Sequence, residues 1–301
     1  MNSVLKKIKK SFQKPKVLMD LICVRTCSKW MPDKLYLKTR FRLNVGYNPN
    51  LHDPCTFNEK MTWIKLHDRC DIYTVMADKY AAKKFVTERV GSKYVVENYI
   101  VTDNWDDIDF SVLPNQFVIK ATHDSSGVSI CKDKTHFNFE AARNKIERSL
   151  HRNYYYNCRE WPYKNIKPRI IIDRYLDDHS GNELRDYKFW CFNGKPEYMY
   201  CTIKGKEIFE NFYDMDFNVV NIDHGFPRHQ PEFECPTNFE LMKQIATKLS
   251  VGIPFVRVDF FDVEGHVYFG EFTFFDWGGL RAFGGGWDLQ LGKLMKLPER
   301  R

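Results

Sequence analysis

Arg257, Asp259, Glu271 and Thr273 fall on one phase of a β-type alternation in the segment 254–273, while Val256, Val258, Phe260, Phe272 and Phe274 fall on the other. Two carboxylates on one half-buried sheet face repel each other unless a positive charge compensates. Mg²⁺ carrying nucleotide phosphates is one such compensation, and Arg257 alone is another. A three-residue turn, Val263-Glu264-Gly265, would pair residue 262 with 266, set Glu271 opposite Arg257 and leave Asp259 as its diagonal neighbour.

Lysines elsewhere supply the matching positive charge. Lys120 ends the apolar run Phe117-Val-Ile-Lys120 and precedes a small-residue loop, Ala121–Gly127, whose backbone N–H groups can approach phosphate oxygens. Lys79 at a helix start and Lys188 in Asp186-Tyr-Lys188 are further candidate phosphate donors; each taken alone reads equally as a solvated surface lysine. No nucleophile–histidine pair accompanies them. The D-x-D pairs Asp107-Ile-Asp109 and Asp214-Met-Asp216 evoke metal–nucleotide-sugar binding only weakly and read better as surface turns.

The elements that must position these residues alternate between helix and strand. Thr56-Phe-Asn-Glu59 is a capping box that opens a helix running to about His67. A second helix is expected over 78–89, stopped by Gly91. Strands follow at 94–100, 117–121 and 128–131, then a helix at 138–150 and a strand at 169–176. Asn193-Gly194 predicts a two-residue hairpin between strands 185–192 and 195–203. A strand at 208–213, a helix at 237–250, the hairpin 255–262/266–274, a glycine-rich stretch and a helix at 288–295 complete an α+β pattern.

Read together, Ala77–Tyr80, Leu113–Lys120, Arg159–Tyr163, Asp186–Phe189, Phe192–Pro196, Phe255–Asp259 and Phe269–Phe274 resemble the ATP-grasp superfamily, in its TupA-like branch named for teichuronopeptide biosynthesis. The resemblance runs from about Lys34 to Leu297. It implies two α+β subdomains gripping ATP, assigned to 71–176 and 177–301, behind a basic helical arm at 1–70. It further implies that Lys79, Lys120, Ser125, Ser126 and Gly127 contact phosphates, that Asp173, Arg174, Tyr175 and Leu176 form the adenine-side hinge, and that Asp186 and Lys188 face the phosphates from the second subdomain. Asp259, Glu271 and Thr273 would hold Mg²⁺, with Arg257 and Lys188 as catalytic residues. Two departures stand out: Asp124 sits in the phosphate loop, where it repels phosphate unless it points away, and Thr273 stands where many members carry Asn.

The implied activity is carboxylate–amine ligation through an acyl phosphate, with a small-molecule amine or amino acid and a glycan or glycolipid acceptor of the cell surface. Phosphoryl transfer to a sugar hydroxyl, glycosyl transfer and a degenerate, non-catalytic fold are the alternatives.

Composition narrows the setting. The chain has 301 residues, 43% of them hydrophobic, and no apolar run long enough to span a bilayer or to serve as a leader. Nine scattered cysteines without a C-x-x-C pair are expected as reduced thiols in a cytoplasm, and no zinc array is present. The net charge of +7 is uneven: residues 1–42 hold twelve Lys/Arg against Asp20 and Asp33, a local +10 that leaves the remainder at −3. This arm predicts contact with an anionic membrane surface at the inner face, or with a polyanionic acceptor, against the plainer reading of a solvated helix. No nucleic-acid-binding pattern accompanies the charge.

Overall fold

The computed structural model describes residues 15–178, 184–204 and 207–299. The first fourteen residues of the basic arm lie outside that set. Helices α1 (Pro15–Cys27) and α2 (Asp33–Asn44) form the described part of its strongly basic stretch. They precede α3 (Phe57–His67), α4 (Asp71–Ala77) and α5 (Ala81–Val90). The capping box holds: the Thr56 hydroxyl accepts from the Glu59 N–H, and the Glu59 carboxylate accepts from the Thr56 N–H at 3.1 Å.

A four-stranded antiparallel sheet follows in the order β1-β4-β2-β3, from β1 (Asn98–Thr102), β2 (Phe117–Ala121), β3 (Val128–Cys131) and β4 (Ile170–Arg174). Helix α6 (Phe139–Leu150), capped by the Asn138 carboxamide, sends Ala142 and Ile146 into its core beside Phe117, Ile119, Ile170 and Ile172. The short α7 (Tyr155–Cys158) connects α6 towards β4.

The second sheet has six antiparallel strands in the order β10-β9-β5-β6-β7-β8. These are β5 (Tyr187–Phe192), β6 (Lys195–Lys204), β7 (Ile208–Tyr213), β8 (Val219–Val220), β9 (Phe255–Val263) and β10 (His266–Thr273). Asn193 and Gly194 take φ of 50° and 84°, the left-handed pair that a tight β5–β6 turn requires. Helices α8 (Phe239–Ser250) and α9 (Trp287–Leu294) complete the chain. Tyr73, Met76, Ala82, Phe85 and Val86 from α4 and α5 join the core of this larger sheet, so the helices between 71 and 90 pack on strands that the sequence assigns to the C-terminal unit.

The β9–β10 register departs from the expected one. Val263 pairs with His266 across a two-residue turn in which Glu264 and Gly265 both have positive φ, and between Phe269 and Phe272 strand β10 gains one residue. This bulge changes the phase of β10. Val267 and Phe269 point inward before it and Phe272 after it, which turns Glu271 and Thr273 onto the face of Arg257 and Asp259. Thr273, not Glu271, is the residue opposite Arg257. Gly270 permits the close approach: a Cβ there would lie 3.1 Å from the Asp259 carbonyl oxygen and 3.2 Å from the Phe261 ring.

Candidate functional site

Arg257 is the hub. Its Nε and Nη2 donate to the two Asp259 oxygens at 2.7 and 2.6 Å, its Nη1 donates to Asp276 at 2.7 Å, and its Nη2 stands 3.6 Å from a Glu271 oxygen. Asp276 also accepts from Trp190 Nε1 at 2.8 Å and from the Tyr200 hydroxyl at 2.9 Å. Asp276 lies below the usual carboxylate range: burial pushes it up, but Arg257 and His224 pull it down further. Asp259 behaves differently. Burial raises its pKa to about 6 despite the Arg257 fork and the Lys188 charge, and the neighbouring Glu271 carboxylate pushes the same way.

Lys79 ties the two sheets together at this point. Its Nζ lies 3.3 Å from Glu271 and donates to the Asp124 carbonyl at 3.1 Å, while its backbone N–H donates to the Thr122 carbonyl. Burial pushes the Glu271 carboxyl up, and the Lys79 and Arg257 charges outweigh it and hold the pKa below its ordinary value. Lys188, opposite Asp259 on β5, is buried and donates to Asp186 at 3.0 Å. Its charge is felt at Asp259, and that of Lys120 at Glu271. Lys79, Lys120, Lys188, Arg257, Asp259, Glu271 and Thr273 therefore gather around one point between the sheets.

The loop after β2 presents exposed Ser125 and Ser126 beside a buried Gly127. Asp124 points away from the loop's open side: its carboxylate accepts from Ser149 Oγ and from Arg152 Nη2 at 2.7 Å, and it is 1% exposed. The phosphate repulsion expected of an Asp at this position is thus neutralised underneath the loop. Gly127 is there for space, since a Cβ would fall 2.3 Å from Ser149 Oγ.

The four residues of the expected adenine-side hinge are arranged less uniformly. Asp173 is buried and anchors Lys120 at 2.9 Å and Lys83 at 2.5 Å. Arg174 donates to the Tyr268 hydroxyl at 2.7 Å, the Tyr175 ring lies 5.8 Å from Lys132 Nζ, and Leu176 is half-buried. Lys83 was not singled out from the sequence, although it lies in the first turn of α5, four residues after Lys79 in the preceding turn. Asp276, in the Phe275-Asp-Trp-Gly-Gly279 stretch, carries no local signal of its long-range partner Arg257. Glu160 is a third such residue: burial pushes its carboxyl up to about 7 against the pull of Lys65 and Arg40.

Two carboxylates beside one guanidinium suit Mg²⁺, which uses one or two protein carboxylates and takes its remaining ligands from phosphates and water. The hard oxygen donors of Asp259 and Glu271, both reached by the one Arg257 guanidinium, are the donor set that favours such a cation here. Among the described residues no group of three or more His, Cys, Asp and Glu converges, so an all-protein metal cage is not formed. Both D-x-D pairs serve turns, with Asp109 accepting from Ser111 and Asp214 from the N–H groups of Asp216 and Asn218. All nine cysteines are free thiols.

Several solved structures are similar. D-alanine–D-alanine ligase from Helicobacter pylori is 14% identical over 74% of this chain and 62% of that one, with a TM-score of 0.41. The Bacillus anthracis D-alanine–D-alanine ligase complexed with ATP is 15% identical over 71% and 56%, at 0.39. The ATP-grasp ligase PsnB, complexed with a minimal precursor, Mg and ADP, is 7% identical over 72% and 57%, at 0.39. The chain spans about three fifths of the length of these structures. No curated protein matches it. The family model of the TupA-like ATP-grasp proteins matches residues 59–296, from the capping-box glutamate of α3 past the end of α9, and the chain belongs to that family.

Proposed function

We propose that the chain is a Mg²⁺/ATP-dependent carboxylate–amine ligase acting on a cell-surface polysaccharide or its precursor. One observation carries the reading: four cations, Lys79, Lys120, Lys188 and Arg257, converge with the Asp259 and Glu271 carboxylates at a junction of the two sheets. Such an array is suited to holding and neutralising a triphosphate.

The chemistry proceeds in two steps. A substrate carboxylate oxygen attacks the γ-phosphorus of ATP, forming an acyl phosphate as the bond to ADP breaks. An amine then attacks the acyl carbon, an amide bond forms, and inorganic phosphate and a proton leave. Lys79 and Lys120 hold phosphate oxygens beside the loop of Ser125, Ser126 and Gly127, Lys188 faces them from β5, and Arg257 meets the charge that builds on the transferring group. Mg²⁺ at Asp259 and Glu271 would neutralise phosphate charge and polarise the γ-phosphoryl group. A small-molecule amine or amino acid and a glycan or glycolipid are the expected co-substrates.

Calorimetry with a non-hydrolysable ATP analogue tests the site. Binding that requires Mg²⁺ and disappears in the Asp259→Ala/Glu271→Ala double variant is the expected result; no binding by folded wild type would overturn the reading. With a turned-over acceptor, equimolar ADP and free phosphate indicate ligation. ADP without free phosphate indicates transfer to a hydroxyl instead.

A further inference from the structure

We infer that helices α1 and α2 form a docking surface for an anionic lipid bilayer, with the turn between them seated at headgroup level. The inference is independent of the chemistry proposed for the cleft. It rests on an apolar helix left largely exposed, with Cys23 its one buried residue. At 100° per residue, Asp20, Cys23 and Cys27 mark the side of α1 turned to the protein, Leu21, Ile22 and Arg25 occupy the opposite side, and Val17 lies on the flank between them. Val17, Met19, Leu21 and Ile22 are all exposed, at 43–57%. Trp30, in the turn, is 70% exposed, and Leu35 on α2 is 55% exposed. Six of the large exposed hydrophobic residues thus fall within nineteen positions, far denser than elsewhere among the described residues.

Charge selects the partner. Lys16 and Arg25 on α1, Lys29 in the turn, and Lys34, Lys38 and Arg42 on α2 are all exposed. The two acids that would offset them are engaged internally: Asp20 accepts from Arg40 at 2.7 Å, and Asp33 accepts from Arg69 at 2.8 Å and is paired with Arg159 at 2.7 Å. Leu35, Lys38 and Arg42 follow at i, i+3 and i+7 along one stripe of α2. A surface that offers apolar side chains, an exposed Trp and uncompensated cations matches the acyl–headgroup boundary of an anionic leaflet, where the apolar groups enter and the cations meet lipid phosphates. No helix among the described residues is long and apolar enough to cross a membrane, so contact here would be lateral.

Cosedimentation of the full chain with vesicles tests this, comparing phosphatidylcholine alone with phosphatidylcholine mixed with phosphatidylglycerol. Binding only to the anionic vesicles is expected, falling at least about tenfold in Leu21→Glu/Ile22→Glu and in Arg25→Glu/Lys29→Glu, and weakening as salt rises. All four positions are exposed, and circular dichroism verifies that each variant is folded. Absence of binding overturns the inference, as does binding that survives the apolar variant. Competition by soluble polyphosphate with no loss in the apolar variant would assign the surface to a polyanion. A concentration-dependent dimer by light scattering, dispersed by Leu21→Glu, would assign it to a second copy of the chain and equally overturn the lipid reading.

Discussion

Arg257 holds Asp276 at 2.7 Å while the other side of its guanidinium is forked onto Asp259. One largely enclosed cation thus serves two buried anions, with Glu271 at the edge of its reach. Removing one member of such a group costs more than the interaction itself, because the partners remain buried without compensation.

Arg257→Ala is therefore expected to lose about 3–5 kcal/mol of stability in urea unfolding. Added Mg²⁺ should raise its melting temperature more than that of wild type, since the freed carboxylates then have a cation to share. A loss under about 1 kcal/mol would mean that the carboxylates are compensated elsewhere, and no response to Mg²⁺ would argue against a metal at this position.

Asp259 must be ionised to hold a cation, and burial places its pKa near 6. Its charged form is present above that value and lost as pH falls through it. At limiting Mg²⁺, kcat/KM for ATP should fall by about tenfold per pH unit below about 6, and Asp259→Asn should lower kcat/KM by about a hundredfold or more. A flat profile between about pH 5 and 7 would remove Asp259 from the metal-binding role.

Much of this was legible in the sequence because the signals were local. Thr56-x-x-Glu59 and Asn193-Gly194 each set their geometry within four residues, and strands β2, β3 and β7 begin and end where the apolar runs do. The β9–β10 register was not legible. It depends on Glu264 accepting a left-handed φ of 51° and on an extra residue at Gly270, and both are fixed by packing of Val267, Phe269 and Phe272 rather than by turn chemistry. The partners of Arg257 were equally hidden, since Tyr200 and Asp276 reach it from 57 and 19 residues away.

The phosphate loop depends on a glycine for space. A Cβ on Gly127 would fall 2.7 Å from Ser149 Cβ and 2.9 Å from Ala121 Cβ, and neither neighbour can rotate away. Gly127→Ala should cost about 1–3 kcal/mol of stability and raise KM for ATP more than it lowers kcat. A variant with normal stability and normal KM would mean that the loop tolerates displacement and does not shape the nucleotide site.

Glu160 supplies a pH test in the opposite sense to an ordinary paired carboxylate. It is 3% exposed, and burial lifts its pKa from 4.5 to about 7 despite the attraction of Lys65 and Arg40. The folded state binds this proton more tightly than the unfolded one, so the contribution to stability is full below about pH 4.5 and is lost as pH rises to about 7. The loss has an upper bound of about 3 kcal/mol. Glu160→Gln mimics the neutral acid, and should match wild type near pH 5 and exceed it by about 1–2 kcal/mol near pH 8, the gain being reduced because buried Lys65 loses a counter-charge. Urea unfolding of both proteins at the two pH values decides it. A glutamine variant weaker than wild type at pH 8 would mean that the charged Glu160–Lys65 pair is net stabilising and that burial does not dominate.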